Sequence, residues 1–370
     1  MSAAALPALL AACSSSSTHA TSATSATSAG TPSSSVTTAP ALRTVTIQLY
    51  PTSVDSWLLY LAGAQHFYQK NGINPKYITT GTGAETTAGI AAGSIDVGDM
   101  DLTLAGPLIE RGHPFQVVIG ANVSNWNLVA APGTQLPPSS AGFAAQLKAL
   151  TGKTLGVLGL GTSSYYYLRA LLQDVGIPPS AVQYTASGSN LASTAAIEEN
   201  RVAAGIVDPS GAYPLVTNSH LRTIFNFVTP PSGISQYPKL ANLAGAAGAG
   251  ADWALKSWVS ANPSLVTAFQ LSIMEADVWA HTASNLPQVV ADLTTFGLPK
   301  LPAGEATAYV KALLPSDESY VPSSTTNAMA QLDVQQGVTT SLLPPAQWVA
   351  PGVPTSAQEV TSIVSAHGGA

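Results

Sequence analysis

Segments patterned as strands alternate with segments patterned as helices from residue 43 to about residue 131, and the alternation restarts at residue 143. Residues 43–50 (RTVTIQLY) interleave β-branched and polar side chains and stop at Pro51. Residues 56–71 follow as an amphipathic helix bearing Trp57, Leu58, Leu61, Ala64, Phe67 and Tyr68, ended by Gly72. Strands at 76–79, 95–98, 116–121 and 127–131 then enclose helices at 84–92 and 102–112. In the second block, strands at 154–158, 182–185, 203–207 and 223–227 enclose helices at 163–175 and 192–200, after a helix at 143–150. Strands separated by helices pair in parallel, so the pattern predicts two α/β units. Residues 240–247 are expected to return the chain to the first unit. From residue 252 the chain reads as helical: 252–260, 264–283, 286–296, 303–313, 323–336 and 355–366. Crossings near 130–138 and 227–237 predict a hinged pair. Its first lobe is built from 43–130 and 232–370, its second from 131–231.

Composition agrees with a folded body of this size. Hydrophobic residues make up 46 % and charged residues 9 % of the 370, so two medium cores can be filled. One cysteine allows no intramolecular disulfide and no thiolate metal cluster. A net charge of −6, with acids and bases scattered, argues against a nucleic-acid partner, which demands a basic face. No apolar run after the first residues reaches the ~18 needed to span a bilayer.

That single cysteine, Cys13, follows Leu10-Ala11-Ala12 and an apolar stretch, and precedes a Ser/Thr/Ala/Pro tract. The arrangement resembles a bacterial lipobox, although residues 1–12 lack the Lys or Arg of a usual secretory n-region. The resemblance implies a signal peptide at 1–12, a lipid on Cys13, and a flexible tether at 13–42 that is too polar to fold. The expected location is extracytoplasmic, on the membrane surface.

Six short segments occur in a family's order: WLLYLA at 57–62, FYQKNGI at 67–73, AAGSIDVG at 91–98, LTGKTLGV at 150–157, LRALL with VGI at 168–177, and Asn262-Pro263 at a helix start. Together the chain from 43 to about 315 resembles the substrate-binding proteins of ABC importers for sulfonates, taurine, nitrate and thiamine-pyrimidine precursors, the SsuA/THI5-like or NMT1-like family. The resemblance implies a two-lobed, type II periplasmic-binding-protein fold with a helical C-terminal segment. It also implies a small-molecule ligand, permease and ATPase subunits as partners, and a monomer without cofactor. Residues 200–204 (NRVAA) depart from the family, which often has Gly and Asp there.

In open α/β sheets ligands sit beyond the carboxyl ends of the strands. That rule selects Ser53, Asp55 and Trp57 after the first strand, with Gly81 and Thr82 after the second. It adds Asp99 and Asp101 after the third, and Asn122 and Trp126 after the fourth. In the second block it selects Thr162, Ser163, Ser164 and Tyr165, residues 187–190, and Asp208. The loops at 81–83 and 162–164 place hydroxyls and amides at helix N-termini, which suits either an anion or ordinary capping. None of the thirteen Lys and Arg falls in these loops, whereas four aspartates do. A carboxylate or sulfonate normally recruits a bidentate Arg. The loops therefore lean toward a nitrogen-bearing solute stacked on aromatic rings.

Catalytic and metal-binding patterns do not assemble. The six His are dispersed, no His-x-x-x-His occurs, and no Gly-x-Ser-x-Gly elbow occurs. Gly159-Leu160-Gly161 is no dinucleotide fingerprint, since the third glycine and the following acid are missing. Some fungal relatives of the resembled family are pyrimidine synthases that use a histidine and a cysteine-rich motif, and that motif is absent here. The sequence thus reads as a solute-binding lipoprotein serving an ABC permease. The alternatives are a cell-surface hydrolase on a related scaffold, or a ligand sensor without a transport role.

Overall fold

The strand β1 (Arg43–Leu49) runs parallel to β2 (Ile73–Thr79), pairing Arg43 with Ile73 through Leu49 with Thr79. A parallel bridge from Ile47 to Val97 attaches them to β3 (Gly98–Met100), and the sheet continues through β10 (Gly250–Leu255) to β4 (Phe115–Asn122). The second sheet has the order β7 (Gln183–Ala186), β6 (Thr154–Val157), β8 (Ala204–Val207), β5 (Asn127–Ala130) and β9 (Thr223–Asn226). Each sheet follows one scheme. A parallel set is joined by one antiparallel strand that enters from a crossing, β10 in the first sheet and β5 in the second. The computed structural model describes residues 41–246 and 248–368. The expected signal peptide, the lipidated Cys13 and nearly all of the tether lie outside those residues.

Every residue of β4 is buried, as for a strand covered on both faces. On one side a core forms from Trp57, Leu61, Tyr68, Phe269 and Ile273, where the helix Trp57–Ala64 lies against the long helix Pro263–His281. A second core runs from Phe115 and Trp253 of the first sheet to Leu155, Leu168 and Phe225 around the second. The helix Ser323–Gln336 contacts Leu102–Glu110 on the first-sheet side and both Ser163–Asp174 and Pro238–Leu243 on the second. It therefore splints the two halves. No helix among the described residues is long and apolar enough to cross a membrane.

Several expectations need correction. Strand 127–131, expected in the first lobe, pairs within the second sheet, so the first crossing lies at residues 123–126. Residues 252–260 do not form one helix. Gly250–Leu255 is a strand, because the slot between β3 and β4 buries Ala251, Asp252, Trp253 and Ala254 and outweighs the helical preference of Ala and Leu. Residues 240–247 do not make the return; Pro238–Leu243 is a helix, and β10 re-enters the first sheet. The helix at 56–71 is broken at His66, which has φ 61°. The break sets Lys70 Nζ 2.6 Å and Asn71 Nδ2 2.8 Å from the Glu275 carboxylate on the long helix.

Candidate functional site

A cavity of about 440 Å³ opens between the carboxyl ends of the two sheets. From the first sheet it is lined by Tyr50, Ser53 and Asp55 after β1, Gly81 and Thr82 after β2, Asp99 and Asp101 at the end of β3, and Asn122 and Trp126 after β4. From the second come Leu158, Thr162 and Ser163 after β6, Asn190 and Leu191 after β7, and Asp208 after β8. Gly250 also lines it. A Cβ there would collide with the Asn122 carboxamide, so glycine lets the entering strand lie flush against β4.

Five residues expected at the site, Trp57, Ser164, Tyr165, Ser187 and Gly188, do not line the cavity. Trp57 is fully buried and meets Tyr309 edge-on, with ring centroids 5.8 Å apart, because the first helical turn faces the core. Ser164 is also fully buried, and its Oγ accepts the Leu158 amide at 3.1 Å. Tyr165 packs edge-on against Tyr184 at 5.0 Å, under the Arg169 guanidinium at 5.2 Å.

The two walls are tied together. Ser53 Oγ donates to Asp208 Oδ2 at 2.6 Å, and the Val54 amide donates to Ser210 Oγ at 2.7 Å. Asp208 also caps the helix Pro209–Thr217, accepting from the Gly211 amide at 3.0 Å, and accepts from Asn190 Nδ2 at 2.6 Å. Gly211 permits this, since a Cβ there would meet Asn190 Nδ2 at 2.8 Å.

Of the two candidate anion-binding helix ends, the first already holds a carboxylate of the chain and the second lies near one. Thr82 Oγ1 accepts the Glu85 amide at 3.2 Å while Glu85 Oε2 accepts the Gly81 amide at 2.6 Å, a reciprocal capping box. At the N-terminus of Ser163–Asp174, Ser163 stands near the Asp101 carboxylate of the other wall, which takes its hydrogen bond from the Thr103 hydroxyl. Thr162 turns its hydroxyl to Gly159 O at 2.8 Å. Capping by the chain's own acid is what the first terminus displays, whereas the second has no side-chain cap.

The remaining acids are largely buried in a negative setting. Asp55 accepts from Asn125 Nδ2 at 2.7 Å and Asn122 Nδ2 at 3.2 Å. Burial and the neighbouring Asp208 push its carboxyl up to about 7 despite those bonds. Burial raises Asp101 to about 6, against the pull of Thr103 and Ser163. Asp99 lies well above the usual carboxylate range through burial and the charges of Asp55 and Asp252. Asp208 is also raised by burial, with its hydrogen bonds to Ser53, Gly211 and Asn190 opposing.

Sequence reasoning missed Tyr50, Glu85, Leu104, Tyr167 and Leu191 as lining residues. Tyr50 ends the first strand just before Pro51, and its Oη donates to Asp99 O at 2.7 Å. Tyr167 lies one helical turn beyond Ser163, so the helix period was the available signal. Among the described residues, no His, Cys, Asp and Glu cluster could hold a metal ion.

This geometry, a cleft between two sheets each completed by a strand from the crossing, defines a two-lobed periplasmic-binding-protein fold of type II. Residues 54–211 match the family described as NMT1/THI5 like. The alkanesulfonate-binding protein SsuA from Xanthomonas axonopodis pv. citri, bound to MOPS, superposes with a TM-score of 0.65 at 17 % identity, covering 84 % of this chain and 100 % of its own. The periplasmic aliphatic sulphonate binding protein SsuA from Escherichia coli gives 0.62 at 15 %, covering 84 % and 98 %. The periplasmic nitrate-binding protein NrtA from Synechocystis PCC 6803 gives 0.58 at 14 %, covering 88 % and 86 %. No curated protein matches in sequence.

Proposed function

We propose that this chain is an extracytoplasmic solute-binding protein, anchored by a lipid on Cys13, that captures a small organic nutrient and presents it to an ABC permease as a monomer. The observation that carries the reading is the cavity itself: about 440 Å³, set at the strand ends and lined from both sheets. The family match and the solute-binding neighbours support it. Ligand contacts to both walls would favour the closed form, which would dock with the permease. The solute is nitrogen-bearing on this reading, because no Lys, Arg or His is found among the described lining residues to hold a sulfonate or nitrate.

Native mass spectrometry of the purified protein, followed by a thermal-shift screen of nutrients, tests this. A ligand at 100 times its Kd adds about 2.7 kcal/mol of stability. The expected result is one organic class that co-purifies, stabilises and is returned unchanged. Turnover of a stabilising compound would replace the binder by a hydrolase, and stabilisation by none would remove solute binding.

A further inference from the structure

The cavity is lined by five carboxylates, Asp55, Glu85, Asp99, Asp101 and Asp208, and by no cationic side chain among the described residues. Four of them have hydrogen-bond donors. Glu85 closes a capping box, Asp55 accepts from Asn122 and Asn125, Asp101 accepts from the Thr103 hydroxyl, and Asp208 is a saturated cap and cross-wall tie. Asp99 is different. It is only 6 % exposed, it lines the cavity, and its Oδ2 has no hydrogen-bond partner.

Nothing packed around Asp99 neutralises it. Across the ladder it faces Asp252, whose Oδ1 is also unpartnered, and Asp317 nearby has neither oxygen bonded. Tyr50 gives its hydroxyl to the Asp99 carbonyl rather than to the carboxylate. The titratable groups facing Asp55 are Asp208, Asp99, Asp101, Asp317 and Tyr50, with Asn122 and Asn125 as neutral donors. Asp101 faces Tyr167 and Asp333 besides Thr103 and Ser163. Every charged or titratable neighbour is an acid or a tyrosine. Beside the neutral hydroxyls and amides of the lining, Met100, Leu104, Trp126, Leu158 and Leu191 offer apolar surface, and the cavity has room for a body far larger than a metal ion.

We infer that the site takes an organic cation, one ammonium or amidinium group set against Asp99 and Asp55 with its apolar body against Trp126 and Leu104, and that capture expels protons from the carboxyls. This rests on the solute-binding reading above. Carboxyls crowded together away from water hold protons that a counter-ion does not replace. An incoming cation favours their ionised forms, and the protons go to the buffer. The sign follows: affinity for a permanently charged cation is low while Asp55 and Asp101 are protonated. It rises as pH passes upward through about 6 to 7.

Isothermal titration with three probes of one shape tests this: benzamidine, neutral benzamide and benzenesulfonate, at pH 5.5 and 8 and in buffers of different ionisation heat. Trimethylphenylammonium serves as a second cation. At least one cation is expected to bind with proton release, more tightly at pH 8, with benzamide about tenfold or more weaker and benzenesulfonate silent. Asp99→Asn, nearly isosteric, is expected to weaken the cation about tenfold or more while its melting temperature holds or rises. Preference for benzamide or benzenesulfonate, or cation binding unaffected by pH and by Asp99→Asn, overturns the inference and leaves solute binding standing. Silence of all four probes overturns the inference too. Only silence of the whole nutrient screen as well removes the solute-binding reading.

Discussion

Asp208 and Asp99 are both buried aspartates at the end of a strand and the edge of one cavity, yet they live differently. Asp208, on the second sheet, accepts from Ser53 Oγ, Asn190 Nδ2 and the Gly211 amide, three donors that account for both oxygens. Asp99, on the first, keeps an oxygen with no donor and looks across at Asp252. Burying an ionised carboxylate is tolerable only with compensating donors or charge. The second wall is therefore complete as it stands, whereas the first is finished only by protons or by a bound cation. One wall is a latch and the other a receptor.

The contrast is sharpened most by a residue behind the receptor wall rather than in it. Trp57→Ala removes a fully buried indole from the first-lobe core, together with its edge contact to Tyr309. The expected loss is about 3–5 kcal/mol in a chemical denaturation curve, with unchanged affinity per folded molecule in titration. A variant that stays stable but binds weakly would move Trp57 into the cavity and redraw the wall.

This is also where the sequence was least legible. A tryptophan next to a strand end looks the same whether it points into a cleft or a core. What decides it is the helix Pro263–His281 and the helix that brings Tyr309, both encoded more than 200 residues away. The strand-end rule did bring Asp55, Asp99, Asp101 and Asp208 to one cavity, since it needs only strand order and direction. It could not distinguish Asp208 from Asp99. The donors on Asp208 come from Asn190, which follows a different strand, and from Ser53 on the other sheet. Gly250–Leu255 was illegible for a related reason: an Ala/Trp/Leu stretch carries no strand period, and only the slot between β3 and β4 makes it one.

Smaller effects test the latch itself. Asp208→Ala removes a helix cap and strands the donors of Asn190 and Ser53. It is expected to lower stability by about 2–3 kcal/mol in the same denaturation experiment. Asp99→Asn, by contrast, should leave stability level or raise it, because it relieves a crowded negative set. If the two substitutions destabilise equally, the division between latch and receptor fails.

The smallest expected effect isolates the tie between walls. Ser53 Oγ works in two directions: it accepts the Asp55 amide at 3.2 Å within its own turn and donates to Asp208 Oδ2 at 2.6 Å across the cleft. Ser53→Ala removes both, but leaves Asp208 its Asn190 and Gly211 donors and leaves the parallel tie from Val54 to Ser210 in place. One hydrogen bond to a shared carboxylate is worth about 1 kcal/mol net, so the ratio of open to closed forms should rise about fivefold without unfolding. Fluorescence transfer between dyes on exposed residues such as Lys76 and Arg201, one on each lobe, reads that ratio directly. An unchanged distance distribution in the variant would mean that the Val54–Ser210 tie and the helix Ser323–Gln336 hold the walls together unaided, and that Ser53 serves Asp55 alone.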